Sequence, residues 1–130
     1  MIAIRLLLPL SLALLAACSH QPQHGIELNS EGECPQRVQV GQRLTVTLPS
    51  NPTTGYRWIL KDSAAAVLQA RGPEVYSTPE QNGMVGTAGE STWRFQASAI
   101  GEGTLLLVYQ QPWAPEVVPV QTFECKVIVR

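Results

Sequence analysis

The chain has 130 residues, of which 45% are apolar and 15% charged, with a formal net charge of −1. Nine Lys and Arg against ten Asp and Glu, with no basic run, lack the electrostatic footprint of a nucleic-acid-binding protein. Two histidines and three cysteines leave little material for a metal centre or a His-assisted nucleophile.

Residues 1–17 carry one early cation, Arg5, and then an apolar run from Leu6 to Ala17 that stops at Cys18. The run is about a dozen residues against the roughly 20 needed to cross a bilayer, so it reads as a signal peptide. Leu15-Ala16-Ala17-Cys18 resembles a bacterial lipobox. That resemblance implies that Cys18 is lipidated as the first residue of the mature chain. Its acyl chains then anchor the protein in the membrane, each methylene contributing roughly 0.8 kcal/mol. By resemblance to Gram-negative lipoproteins, Ser19 after the cysteine directs the protein to the outer membrane, facing the periplasm. Residues 18–25 have the composition of a flexible tether. His20 and His24 within it have no nearby third ligand and read as solvated linker residues rather than a metal pair.

Residues 26–130 make one domain, large enough for a core of its own. With Cys18 lipidated, an exported chain is left with Cys34 and Cys125, which points to a disulfide; two buried free thiols are the alternative. A bridge would close a loop of about 90 residues and stabilise the fold by roughly 4–5 kcal/mol in the chain-entropy model.

The domain reads as strands. Leu44, Val46 and Leu48 alternate with Arg43, Thr45 and Thr47, the period-2 pattern of a half-buried strand. Trp93, Phe95 and Ala97 alternate in the same way, as do Phe123, Cys125, Val127 and Val129, which puts Cys125 with the apolar set. Tyr56–Leu60, Val67–Arg71 and Thr104–Gln110 are further strands, the last apolar enough to be central and buried on both faces. Residues 62–70, with Ala64, Ala65 and Ala66, are the one stretch that could form a short helix. Ten Gly and ten Pro punctuate these runs at short intervals, which argues for an all-β sandwich of about seven to eight strands.

Three loops between these strands carry unusual residues. Asn51-Pro52-Thr53-Thr54-Gly55-Tyr56 is a stiff turn: Pro52 fixes its own φ and restrains Asn51, Gly55 permits close approach, and the two hydroxyls can bond outward or back to the chain. Residues 83–89 hold three glycines in seven positions. Residues 110–115 hold Trp113 between Pro112 and Pro115, where it cannot easily fold into the core and is placed as a binding anchor.

In this order the three loops resemble those of the chagasin family, inhibitors of papain-like cysteine peptidases. The family pattern is an Asn-Pro-Thr-Thr-Gly-aromatic loop, a Gly-x-Gly-Gly loop and an Arg-Pro-Trp or Arg-Pro-Phe loop. Residues 51–56 match the first in full. Gly86-Thr87-Ala88-Gly89 departs from the second at Ala88. Gln111-Pro112-Trp113 departs from the third at Gln111. The resemblance implies an immunoglobulin-like sandwich with the three loops side by side at one end. It implies an inhibitor that needs no cofactor or metal and is not an enzyme, whose loop 51–56 enters the peptidase cleft while loops 83–89 and 110–115 flank it; the chain itself reads as a monomer.

Two rival classes remain in view. An enzyme would have to work without a histidine and with Asp62 alone among aspartates in the domain, and a pair such as Glu90 and Glu102 is not singled out by spacing. An envelope lipoprotein gripping glycan or another envelope protein through Tyr56 and Trp113 is the stronger rival.

Overall fold

The computed structural model describes residues 24–78 and 88–130. Expectations for the signal peptide 1–17, Cys18, His20, Gly83, Gly86 and Thr87 lie outside the described residues. Nine strands form among the described residues: β1 (Ile26–Leu28), β2 (Gln36–Val38), β3 (Arg43–Ser50), β4 (Arg57–Ser63), β5 (Leu68–Ala70), β6 (Val75–Ser77), β7 (Gly89–Ala97), β8 (Gly101–Gln110) and β9 (Gln121–Val129). The count exceeds the expected seven to eight because β1, β2 and β6 are three-residue strands, too short to show a period.

The strands build two sheets in an immunoglobulin-like sandwich. In one, β1 runs parallel to β3, β3 pairs antiparallel with β7, and β5 and β6 lie along the far edge of β7. In the other, β2 runs parallel to β9, and β9, β8 and β4 follow in antiparallel order. The alternating residues meet between the sheets. Leu44, Val46, Leu48, Trp93, Phe95 and Ala97 from one, and Leu105, Leu107, Phe123, Cys125, Val127 and Val129 from the other, are all buried. Burying each large apolar side chain here contributes about 1.5–3 kcal/mol relative to exposure.

Cys34 and Cys125 are bridged, with 5.3 Å between their Cα atoms. The bridge ties the segment between β1 and β2 to the middle of β9, where Cys125 faces the core.

Residues 62–70 do not form a helix. Strand β4 continues to Ser63, and the Asp62 carboxylate accepts the Ala64 amide at 2.9 Å. The Ala64 carbonyl then accepts the amides of Val67 and Leu68 at 2.9 and 2.8 Å, closing a turn into β5. Tertiary packing overrides the helical propensity of the alanines: Ala64 and Val67 are buried over Gly103, where a Cβ would come within 2.9 Å of the Ala64 methyl. Strand β8 is central, as its composition suggests, but all of its residues are buried only from Leu107 to Gln110; toward Gly101 it is partly exposed.

Candidate functional site

The sheet register brings the roots of the three loops to one end of the sandwich. Ser50, the last residue of β3, pairs with Gly89, the first residue of β7 and the last of the glycine-rich loop. Arg57, the first residue of β4, pairs with Gln110, the last residue before the Trp113 loop. The loop 51–56 therefore leaves one sheet beside one flanking loop and enters the other sheet beside the second. It crosses between the sheets with a neighbour rooted on each side.

The loop is held rigid by its own side chains. Pro52–Thr54 form one 3-10 turn with Asn51 as its cap, and the Asn51 Oδ1 accepts the Thr53 amide at 3.2 Å and the Thr53 hydroxyl at 2.5 Å. The Thr54 hydroxyl donates to the Asn51 carbonyl at 2.7 Å. Both threonine hydroxyls thus bond back to Asn51, and the outward face of the turn consists of exposed Thr53 and Thr54 with their methyl groups and remaining oxygen lone pairs. Gly55 ends the turn at φ 82°, in the left-handed region where a side chain is strained.

Tyr109 roots the loop from below. The Asn51 amide donates to its hydroxyl at 3.0 Å, and its ring lies 5.6 Å from that of Tyr56 and 5.0 Å from that of Trp58. The Trp58 indole N–H in turn donates to the Pro49 carbonyl at 2.9 Å, fixing the strand that enters the loop. Tyr109 and Trp58 were not singled out by sequence reasoning because nothing in an apolar strand pattern says which aromatic hydroxyl or indole will reach a neighbouring loop.

Trp113 is 68% exposed, the state expected of an anchor rather than a core residue. Its ring lies over Gly55: a Cβ built at position 55 would collide with the Cη2 atom and lie 3.3 Å from Cζ2. Gln111 is half-buried and Pro112 exposed, with the Gln111 carbonyl accepting the Ala114 amide at 3.0 Å to close the turn. The apolar surface continues past Pro115, since Val117, Val118 and Val120 are all exposed. The sequence reading ends this loop at residue 115; the run of valines and prolines from Pro115 to Val120 was the signal for the rest.

In the glycine-rich loop only Ala88 and Gly89 are described; Ala88 is exposed and Gly89 buried. A Cβ at Gly89 would collide with the Ser77 carbonyl oxygen and come within 2.6 Å of the Tyr76 hydroxyl. The close approach that this glycine permits is therefore to the chain's own β6. Glu90 and Glu102 lie at the starts of β7 and β8, in different sheets, and Glu102 pairs with Lys126 at 3.0 Å, so no carboxylate pair is assembled.

Residues 37–127 match the family model described as Chagasin family peptidase inhibitor I42. The chain belongs to the chagasin family of peptidase inhibitors. The chain is similar to Amoebiasin-1 of Entamoeba histolytica, with 33% identity over 93 residues, 72% of this chain and 87% of that protein. It is also similar to Chagasin of Trypanosoma cruzi, with 26% identity over 81 residues, 58% of this chain and 71% of that one. Among solved structures, the fold matches the cysteine protease inhibitor EhICP2 of Entamoeba histolytica with a TM-score of 0.67 at 21% identity, over 81% of this chain and 95% of that one. It matches the solution structure of Amebosin with a TM-score of 0.64 at 27% identity, over 82% and 99% respectively. PbICP-C, solved in complex with falcipain-2, matches with a TM-score of 0.53 at 16% identity, over 83% and 91%. The match of this chagasin-family member spans 95% and 99% of the first two of these chains, and the described residues carry their own core and disulfide. The family is one of inhibitors, not enzymes.

Proposed function

We propose that the domain is a reversible, occlusive inhibitor of papain-like cysteine peptidases, with the loop 51–56 as wedge and the other two loops as clamps. The observation that carries this reading is the pairing of both roots of loop 51–56 with the roots of its neighbours, Ser50 with Gly89 and Arg57 with Gln110. A cleft built for an extended peptide is filled by a capped 3-10 turn that offers no scissile bond in extended geometry. Because Asn51, Gly55 and Tyr109 hold the turn before binding, little ordering is left for the encounter. Trp113, with Gln111 and Pro112 beside it and Val117, Val118 and Val120 beyond, forms one clamp. Gly86, Thr87, Ala88 and Gly89 form the other, with Ala88 the exposed described member. That PbICP-C was solved with falcipain-2 supports the same class of partner for this chain. Inhibition needs no covalent step, metal or cofactor, and the inhibitor acts as a monomer.

The glycan-gripping alternative loses one of its two aromatics, because Tyr56 is half-buried against Tyr109. Titration of residues 24–130 into papain-like, serine and metallo-peptidase assays tests the proposal. Inhibition of the first class alone, with the Thr54–Gly55 bond intact afterwards, is expected; no inhibition of several papain-like enzymes at micromolar concentration would overturn it.

The same reading places the inhibitor in the bacterial envelope, lipidated at Cys18 and facing the periplasm from the outer membrane, supported by the lipobox-like Leu15-Ala16-Ala17-Cys18. Intact mass of membrane-extracted protein is expected to show diacylglycerol and acyl groups on an N-terminal Cys18.

A further inference from the structure

The outer face of the β1-β3-β7-β5 sheet carries a cluster that inhibition does not use. Arg43 on β3, Arg94 on β7 and Arg71 just after β5 line one cavity of about 210 Å³ together with Thr45 and Phe95. Arg94 is in register with Thr45, and the Arg71 amide donates to the Arg94 carbonyl at 2.8 Å, which holds the three residues together on the sheet. All three side chains are exposed, and none has a hydrogen-bond or ion-pair partner among the described residues. Glu27 shares this face, in register with Thr45, and does not pair with any of them. Three unpaired guanidinium groups around one cavity are concentrated here in a domain whose acidic residues outnumber its basic ones.

The chain enters the domain at this point. Gly25 lies 3.9 Å from the Arg43 Cβ position, measured from its own would-be Cβ, and the Gln42 side-chain amide donates to the His24 carbonyl at 2.8 Å. Seven residue steps from Cys18 to Gly25 span at most about 25 Å, so a lipid on Cys18 would hold this face near the bilayer. The inhibitory end is far away: the strand from Arg43 to Ser50 is about 23 Å long, and loop 51–56 begins at its other end.

We infer that Arg43, Arg71 and Arg94 form a docking patch for the phosphate groups of anionic lipid headgroups. The patch sets the orientation of the anchored domain by laying this sheet face toward the membrane, with the three inhibitory loops at the far ends of the strands. Guanidinium groups take phosphate oxygens through paired N–H donors, and several in one cavity suit a headgroup phosphate as they would any phosphate monoester or diester. The membrane is the source because the entering chain ends at the patch. The geometry rests on the reading of Cys18 as the anchor, but the patch itself is tested without the lipid.

Residues 24–130 are sedimented at low salt with vesicles of pure phosphatidylcholine and with vesicles containing phosphatidylglycerol. Amide shifts are followed by NMR on addition of short-chain phosphatidylglycerol or inorganic phosphate. Partition is expected to favour the anionic vesicles and to fall with added salt, with the shifts centred on residues 43–45, 71 and 94–96. Arg43→Gln, Arg71→Gln and Arg94→Gln are each expected to reduce anionic partition about fivefold, and together on the order of a hundredfold. Peptidase inhibition is expected to stay unchanged in all three, which separates this inference from the inhibitory reading. Equal partition into both vesicles, or partition unchanged in the triple variant, overturns it. Shifts with inorganic phosphate but no vesicle preference overturn the membrane as source. A blue shift of Trp113 fluorescence on anionic vesicles overturns the orientation, since the inhibitory end would then be the one that docks.

Discussion

The indole of Trp113 occupies the space that a side chain at position 55 would fill, so the wedge and one clamp are packed against each other before any partner arrives. Gly55 is therefore fixed twice, by its φ of 82° and by the ring above it. Gly55→Ala is expected to displace Trp113 and strain the turn, weakening inhibition at least tenfold while costing about 1–2 kcal/mol of stability. In a Trp113→Ala background the collision is gone, so the same substitution should cost less affinity there. Dissociation constants for the four variants of this cycle measure the coupling; strictly additive losses would show that the two residues act separately.

Trp113→Ala alone separates anchor from core. A ring that is 68% exposed contributes little to folding, and the melting temperature is expected to change by no more than a degree or two. Loss of a rigid aromatic anchor is expected to weaken binding by roughly 2 kcal/mol, seen mainly as faster dissociation. A large drop in melting temperature with wild-type affinity would assign Trp113 to packing instead.

Much of the architecture was legible because one sheet face is buried along each long strand. Leu44, Val46 and Leu48, and Phe123, Cys125, Val127 and Val129, announce their strands by alternation, and all seven are buried. What was not legible lies where local pattern gives way to tertiary contact. The alanines at 64–66 favour a helix in isolation and become a turn because Gly103 leaves room for Ala64 beneath it. The turn residues 51–56 showed a presented loop, but not that the threonine hydroxyls bond back to Asn51 or that Tyr109, more than 50 positions away, holds its root. Gly89 read as a surface for a partner and proved to accommodate Tyr76 and Ser77 of the same chain.

Tyr109→Phe removes a hydroxyl while keeping the ring between Tyr56 and Trp58. The Asn51 amide would lose its acceptor at a part-buried site, a change worth about 1 kcal/mol. Faster hydrogen exchange at the Asn51 amide, with a few-fold loss of affinity, is expected. Unchanged exchange there would mean that the hydroxyl does not hold the loop.

The Cys34–Cys125 bridge lies away from the inhibitory end, since Cys125 pairs with Leu105 in mid-strand while the loops are rooted at Gln110 and Gln121. Replacing both cysteines with serine is expected to lower stability by about 2–5 kcal/mol and to leave inhibition intact at temperatures where the variant is folded. Thermal melts and inhibition assays at two temperatures check this, and loss of inhibition in the folded variant would tie the bridge to the loops.

Asn51 and Thr53 are expected to differ, because the donor and the acceptor of their hydrogen bond have unequal duties. The Asn51 Oδ1 accepts both the Thr53 amide and the Thr53 hydroxyl, so it caps the turn as well as orienting the side chain. Thr53→Ala removes only the second of these bonds and leaves the backbone turn capped, so its loss of affinity is expected to be small, about 0.5–1 kcal/mol. Asn51→Ala removes both, uncaps the 3-10 turn and frees the loop to sample extended conformations, at a cost of about 1–2 kcal/mol in stability. An extended loop also resembles a substrate, so Asn51→Ala is expected to be cleaved slowly near Thr54–Gly55 by the peptidase that the wild-type domain merely blocks. Mass analysis of the complex over hours distinguishes the two variants. Equal resistance to cleavage in both would show that the cap is not what keeps the wedge from being read as a peptide.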